Sequence, residues 1–122
     1  MARPVNLQNL ELHYKNRVID YILQEMKKVI EGKGERKVIC VSGNQEDLKN
    51  VVWRLKISAA EKNAKVVEKF SLSANEKKKV YVYKTSEINP GDDYWVGKYH
   101  PSFVLIIEDS REFSGECEKL RL

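Results

Sequence analysis

Residues that usually carry chemistry are scarce in this chain. Two histidines and two cysteines stand in 122 residues. His13 and His100 share no metal-ligand spacing with each other or with Cys40 and Cys117, so neither a metal site nor a redox pair is called for. A nucleophile also needs a positioned base, and these two histidines read as structural. Cys40 lies in an apolar stretch and is expected to be a small core residue, while Cys117 lies in a polar one. Two unpaired thiols would suit a reducing interior. Apolar runs are short, far from the roughly 18–20 residues of a membrane span, and Met1–Leu10 lacks a signal-peptide core. The expectation is a soluble cytoplasmic protein with no membrane partner, nucleoid-associated if its ligand is DNA. Internal repeats and low-complexity segments are missing as well. Glutamine is confined to Gln8, Gln24 and Gln45 while lysine and glutamate abound, a thermophile-like balance that eight asparagines offset.

Charge is present, and it is segregated. The net +4 conceals +3 over residues 1–37, −2 over 38–48, +7 over 49–84 and −4 over 85–122. Ten basic groups oppose three acidic ones in the third segment. On one face they would attract a polyanion; spread out, they are a solvated lysine-rich surface.

The length suits one domain with a single core. Val5, Leu7, Leu10, Leu12 and Tyr14 alternate with polar residues, with one slip at Asn9, and predict a half-buried strand. From Asn16 the period changes. Val18, Ile19, Ile22, Leu23, Met26, Val29 and Ile30 predict an amphipathic helix that stops at Gly32 and Gly34. Lys37–Val41 reads as a central strand and Ser42–Gln45 as a turn. A second helix follows, with Leu48, Val51, Val52, Leu55 and Ala59 as its buried stripe, ending near Asn63. Val66, Val67, Phe70 and Leu72 start a third strand, which resumes at Val80–Tyr83 beyond the polar stretch 73–79. Asn89–Asp93 is the strongest turn signal, and Phe103–Ile107 is a last apolar strand. The predicted fold is a two-layer α/β sandwich of order β-α-β-α-β-β: a four-stranded mixed sheet, two helices on one face and an extended hairpin. It occupies residues 1–109, and Ser110–Leu122 is a loosely held acidic tail.

The turn at Gly43 leads from strand to helix but carries neither G-x-G-x-x-G nor G-x-x-x-x-G-K-[ST]. With Glu46 and Asp47 at the helix entrance, a dedicated nucleotide pocket is disfavoured and no cofactor or small-molecule substrate is called for. Backbone amides, Asn44 and Gln45 could still touch a sugar-phosphate backbone; equally, Gly43 could be a plain turn glycine.

Tyr14-Lys-Asn-Arg-Val-Ile-Asp-Tyr-Ile22 resembles the Gly-Lys-Lys-Pro-Val-x-x-Tyr-Val motif of the Alba family of archaeal nucleic-acid-binding proteins. Tyr14, Lys15, Asn16 and Arg17 stand for its first four residues, and Val18 and Tyr21 match directly. Val41-Ser-Gly-Asn44 is similar to the family's Ala-Arg-Gly-Arg loop, with Gly43 kept and Ser42 and Asn44 replacing both arginines. The resemblance covers Leu10–Leu72, with Phe103–Ile107 as the family's last strand. It implies a homodimer, chromatin-like in role, that binds DNA or RNA through these two loops and a protruding hairpin.

The resulting expectation is a non-enzymatic protein that contacts the sugar-phosphate backbone largely without sequence specificity. Lys15, Asn16 and Arg17 would act at the first helix, Ser42, Gly43, Asn44 and Gln45 at the loop, and Lys77, Lys78 and Lys79 on the arm. Tyr81, Tyr83, Tyr94, Trp95 and Tyr99 would stack on unpaired bases or pack across the hairpin. The missing loop arginines and the acidic tail leave open a protein-interaction subunit of a ribonucleoprotein or mobile-element complex. An enzyme would require His100, Glu108 and Asp109 to converge.

Overall fold

The computed structural model describes residues 7–71 and 79–122. Its first element is a helix, α1 (Leu7–Ile30), where a strand was expected to precede one. No glycine or proline interrupts those 24 residues, so the turns that bury Ile19, Ile22 and Met26 extend back through Leu10, Leu12 and Tyr14. These three side chains are exposed and dictate no register of their own. Val5 lies outside the described residues. Gly32, at φ 74°, closes α1 in the left-handed conformation that glycine accepts without cost.

Next come β1 (Lys37–Ser42), α2 (Gln45–Glu61), β2 (Val66–Val67), β3 (Val80–Lys84), α3 (Asp93–Tyr99), β4 (Phe103–Ile107) and β5 (Glu118–Arg121). Asn44 caps α2, its side chain accepting a hydrogen bond from the Asp47 amide at 2.8 Å, and Glu46 and Asp47 complement the helix dipole. Leu48, Val51, Leu55 and Ala59 form its buried stripe, and Asn63, at φ 56°, follows its end as predicted.

The sheet is five-stranded, ordered β2-β3-β4-β1-β5, and every pairing is parallel. The mixed four-stranded sheet is therefore corrected, and no hairpin occurs among the described residues. Parallel neighbours need crossovers. Asn89–Asp93, expected to turn a hairpin, instead forms a short 3₁₀ turn (Pro90–Asp92) that enters α3 and carries the chain from β3 to β4. The strand expected at Val66–Leu72 is reduced to Val66–Val67; Phe70 packs edge-on against Tyr83 at 5.2 Å, and Leu72 lies outside the described residues.

Helices cover both faces, not one. On the first, α1 and α2 bury Ile39, Val41, Val82, Leu105 and Ile107. On the second, α3 and the 108–117 segment bury Val38, Cys40, Tyr81, Tyr83, Val104, Ile106 and Phe113. Burial on both faces explains why β1, β3 and β4 read as continuous apolar runs. Ser110–Leu122 is not a loose tail. Phe113 is fully buried, Arg111 grips Asp93, Cys117 is bonded to Cys40, and β5 pairs with β1. The cysteines are thus a disulfide, with Cα atoms 6.1 Å apart and not two free thiols, which removes the thiol argument for a reducing compartment. No described helix is long and apolar enough to cross a membrane.

Candidate nucleic-acid interface

All strands run the same way, so their carboxyl ends share one edge. From β1 the chain leaves to α2 on the first face; from the adjacent β4 it leaves towards Phe113 on the second. Where neighbouring connections part to opposite faces, a crevice opens at the carboxyl edge, the place where open α/β sheets hold ligands.

Helix α1 runs back along the sheet, so its N-terminal turns also reach this edge. At about 1.5 Å per residue it spans ~36 Å against ~20 Å for a strand, and residues 9–14 stand exposed. Lys15 Nζ lies 2.7 Å from Asp47 Oδ2, tying α1 to the first turn of α2. That bond raises the lysine's pKa. One turn on, Arg54 donates to Asp20 Oδ1 at 3.1 Å and to Asn16 Oδ1 at 3.4 Å.

The two nominated segments therefore meet, with duties the sequence did not disclose. Lys15 is committed to Asp47, Asn16 accepts from Arg54, and Asn44 is committed to its cap. Arg17 is exposed. The Ser42 carbonyl accepts from the Leu122 amide at 2.8 Å. A Cβ on Gly43 would lie 3.0 Å from Leu122 Cβ and 3.2 Å from its carbonyl oxygen, tight contacts that, with a φ of 158°, favour glycine where the chain passes after β5. Gln45 opens α2 into solvent. Lys79 is not part of this gathering: it immediately precedes β3, at the amino edge, where its carbonyl accepts from Ser102 Oγ at 2.7 Å. Lys77 and Lys78 lie outside the described residues.

A cleft of about 320 Å³ opens at the carboxyl edge between α2 and the ends of β3 and β4. Leu48, Val52 and Ile107 line its apolar part; Lys49, Trp53 and Lys56 come from α2 and Lys84 from β3. Lys56 pairs with Glu68 at 3.0 Å, whereas Lys49 and Lys84 are exposed with no ion pair drawn to them among the described residues. Lys49, Trp53 and Lys56 were missed, though a signal existed. Lys49, Trp53 and Lys56 recur at i, i+4 and i+7 off the buried stripe of α2.

Asp109, at the cleft's end, is held firmly. Oδ1 accepts from the Ser86 amide (3.0 Å) and Thr85 Oγ1 (3.1 Å), and Oδ2 from Ser86 Oγ (2.7 Å). Burial alone would raise its pKa, but these bonds outweigh it and hold the carboxyl below its ordinary range. Glu108 accepts from the Phe113 amide at 2.6 Å. His100 does not join them. It precedes β4 while they follow it, about 16 Å of strand away. It is buried against Tyr81 and Trp95, with Nε2 3.2 Å from Tyr83 Oη, and burial beside Arg36 pushes its pKa down to about 4. Of the aromatics nominated for stacking, Tyr81 and Tyr83 are core, Trp95 is partly buried, and Tyr94 and Tyr99 are exposed on α3. No cluster of three or more metal-ligating side chains occurs among the described residues.

No protein-family model matches the chain, and no curated protein or solved structure proves similar to it.

Proposed function

We propose that this chain binds DNA or RNA through the sugar-phosphate backbone, as a homodimer, without catalysis and largely without sequence readout. One observation carries the reading: the carboxyl edge brings the nominated residues of α1 and of the β1–α2 loop together beside a cleft rimmed by lysines. The binding mode implied by the Alba resemblance is kept and moved onto a parallel sheet. Asp47 and the Asn44 cap take two of the nominated side chains out of direct contact, so Arg17, Gln45, Lys49 and Lys84 supply the polar and cationic surface.

The test is a salt titration against duplex DNA, single-stranded DNA and structured RNA. Affinity is expected to fall linearly on a log–log plot, by about 0.9 per duplex phosphate and about 0.7 per single-strand phosphate. Charge reversal at Lys49→Glu with Lys84→Glu should weaken binding about tenfold or more and shrink the slope by roughly 2. Both side chains are exposed, so the fold should survive. Absence of binding at low salt by the folded parent protein sinks the proposal.

A second reading, the protein-interaction subunit, is favoured by one feature. The projecting turns of α1 expose Leu10, Leu12 and Tyr14, and an apolar groove of about 470 Å³ runs from Leu10 and Tyr14 to Leu120 of β5. Salt separates the two, because a complex held by those side chains persists where a phosphate complex dissolves.

A further inference from the structure

We infer that the cleft beside α2 is a slot for one unstacked nucleobase of a single-stranded nucleic acid, with Trp53 as its stacking platform. This rests on the nucleic-acid reading and adds to it the strandedness of the ligand and the residue that selects it. Trp53 is 62 % exposed, a costly position for an indole unless its face is used. Below it the cleft is aliphatic, through Leu48, Val52 and Ile107. An exposed indole beside an aliphatic lining suits a flat heteroaromatic ring. At about 320 Å³ the space sits at the small end of ligand pockets, room for one nucleotide unit and far too little for a duplex.

Charge decides how that unit lies. Lys49 stands on the α2 rim and Lys84 on the opposite rim, at the end of β3. The two carboxylates of the lining are exposed and already engaged, Asp109 by Ser86 and Thr85 and Glu68 by Lys56. The exposed ammonium groups of Lys49 and Lys84 attract phosphate to the cleft's edges, and the aliphatic lining gives it no partner within. The base enters, and the backbone passes across the rims. A paired base in duplex has both faces stacked and cannot reach the indole, so single strands are selected over duplexes of equal charge.

The experiment uses Trp95→Phe, which leaves Trp53 as the single tryptophan reporter. It is titrated with a short oligothymidylate or oligouridylate, a duplex and a mononucleotide. The expected result is saturable quenching by the single strand and none by the duplex. Trp53→Ala should weaken single-strand binding by roughly 5- to 150-fold, the range for losing one stacked base, and leave duplex binding within about twofold. Trp53→Phe should restore most of the loss. Thermal melts confirm that each variant folds. Equal weakening of single-strand and duplex binding by Trp53→Ala, or tight single-strand binding with no quenching, overturns the slot while nucleic-acid binding stands. Quenching by the mononucleotide alone overturns the strand as its occupant. Failure of every polymer to bind at low salt overturns the underlying reading instead.

Discussion

The layer beneath α1 and α2 is apolar and, apart from Phe103, without aromatic rings among its buried residues. Val18, Ile19, Ile22 and Met26 meet Leu48, Val51 and Leu55 over Ile39, Val41, Val82 and Leu105. Its directional contacts, Lys15–Asp47, Arg54–Asp20 and Tyr21–Glu118, lie at its margins, and each full burial within it contributes roughly 1.5–3 kcal/mol. Beneath α3 the layer is built otherwise. Seven residues are too few for a helix to be held by a stripe alone. Arg36 hydrogen-bonds the carbonyls of Val96, Gly97 and His100 at the helix's C-terminal end. Arg111 reaches Asp93 at 2.6 and 3.0 Å and the Ile88 carbonyl at 2.9 Å, and Ser114 adds two more bonds to Asp93. His100 bonds Tyr83, and the disulfide crosses from β1 to the residue before β5. One face is held by area and should tolerate substitution, whereas the other is held by particular atoms and should fail abruptly when one of them changes.

The largest expected break is in the bonded face. Reducing Cys40–Cys117, or replacing Cys117→Ser, frees a 77-residue separation and should cost ~4 kcal/mol on chain-entropy grounds. Urea unfolding with and without reductant measures it, and coincident curves would mean that this face leans on area after all.

Acid should come next. His100 is neutral in the fold because burial, then Arg36, lowers its pKa to about 4, whereas the unfolded chain takes up that proton near 6.5. Stability is then complete above pH 6.5, declines as pH falls to about 4 by ~3 kcal/mol in all, and stops changing below that on this residue's account. Asp93 carries the decline further. Burial would raise its pKa, yet Arg111 and Ser114 together hold it low, so its contribution is lost only as pH drops through that depressed value. Stability measured across this range in His100→Phe should lose the upper part of the slope; an unchanged slope would assign it elsewhere.

Smallest is the aliphatic face. Ile22→Val, at a fully buried position on α1, should cost about 1 kcal/mol in the same unfolding assay. A cost rivalling the disulfide's would erase the contrast between the faces.

The contrast also explains what could be read in advance. Stripes at helical spacing announced the buried half of α1 and all of α2, and unbroken apolar runs announced β1, β3 and β4. Leu10, Leu12 and Tyr14 misled because nothing buries them: on a helix that alternation merely scatters side chains around the surface. Strand direction leaves no periodic trace, so Val80–Tyr83 and Phe103–Ile107 read equally well as hairpin partners. Glu118–Arg121 has one apolar residue in four and is a strand because β1 and Cys117 hold it there. A cysteine pairing across 77 residues has no spacing signature either. At the candidate site, the motif-like segments at Lys15–Arg17 and Ser42–Gln45 come together at one edge of the sheet. Which of their side chains are already occupied depends on Asp47, Arg54 and Leu122, contacts that only folding creates.

The Cys40–Cys117 bond also turns most of the chain into a covalent ring. Helix α2, both inner strands of the α3 crossover and α3 itself lie inside it, with α1 and β5 as its two tails. A protease that cuts the backbone anywhere between those cysteines opens the ring without releasing a fragment. The nicked and intact molecules then weigh the same but for one water, and only a reducing gel tells them apart.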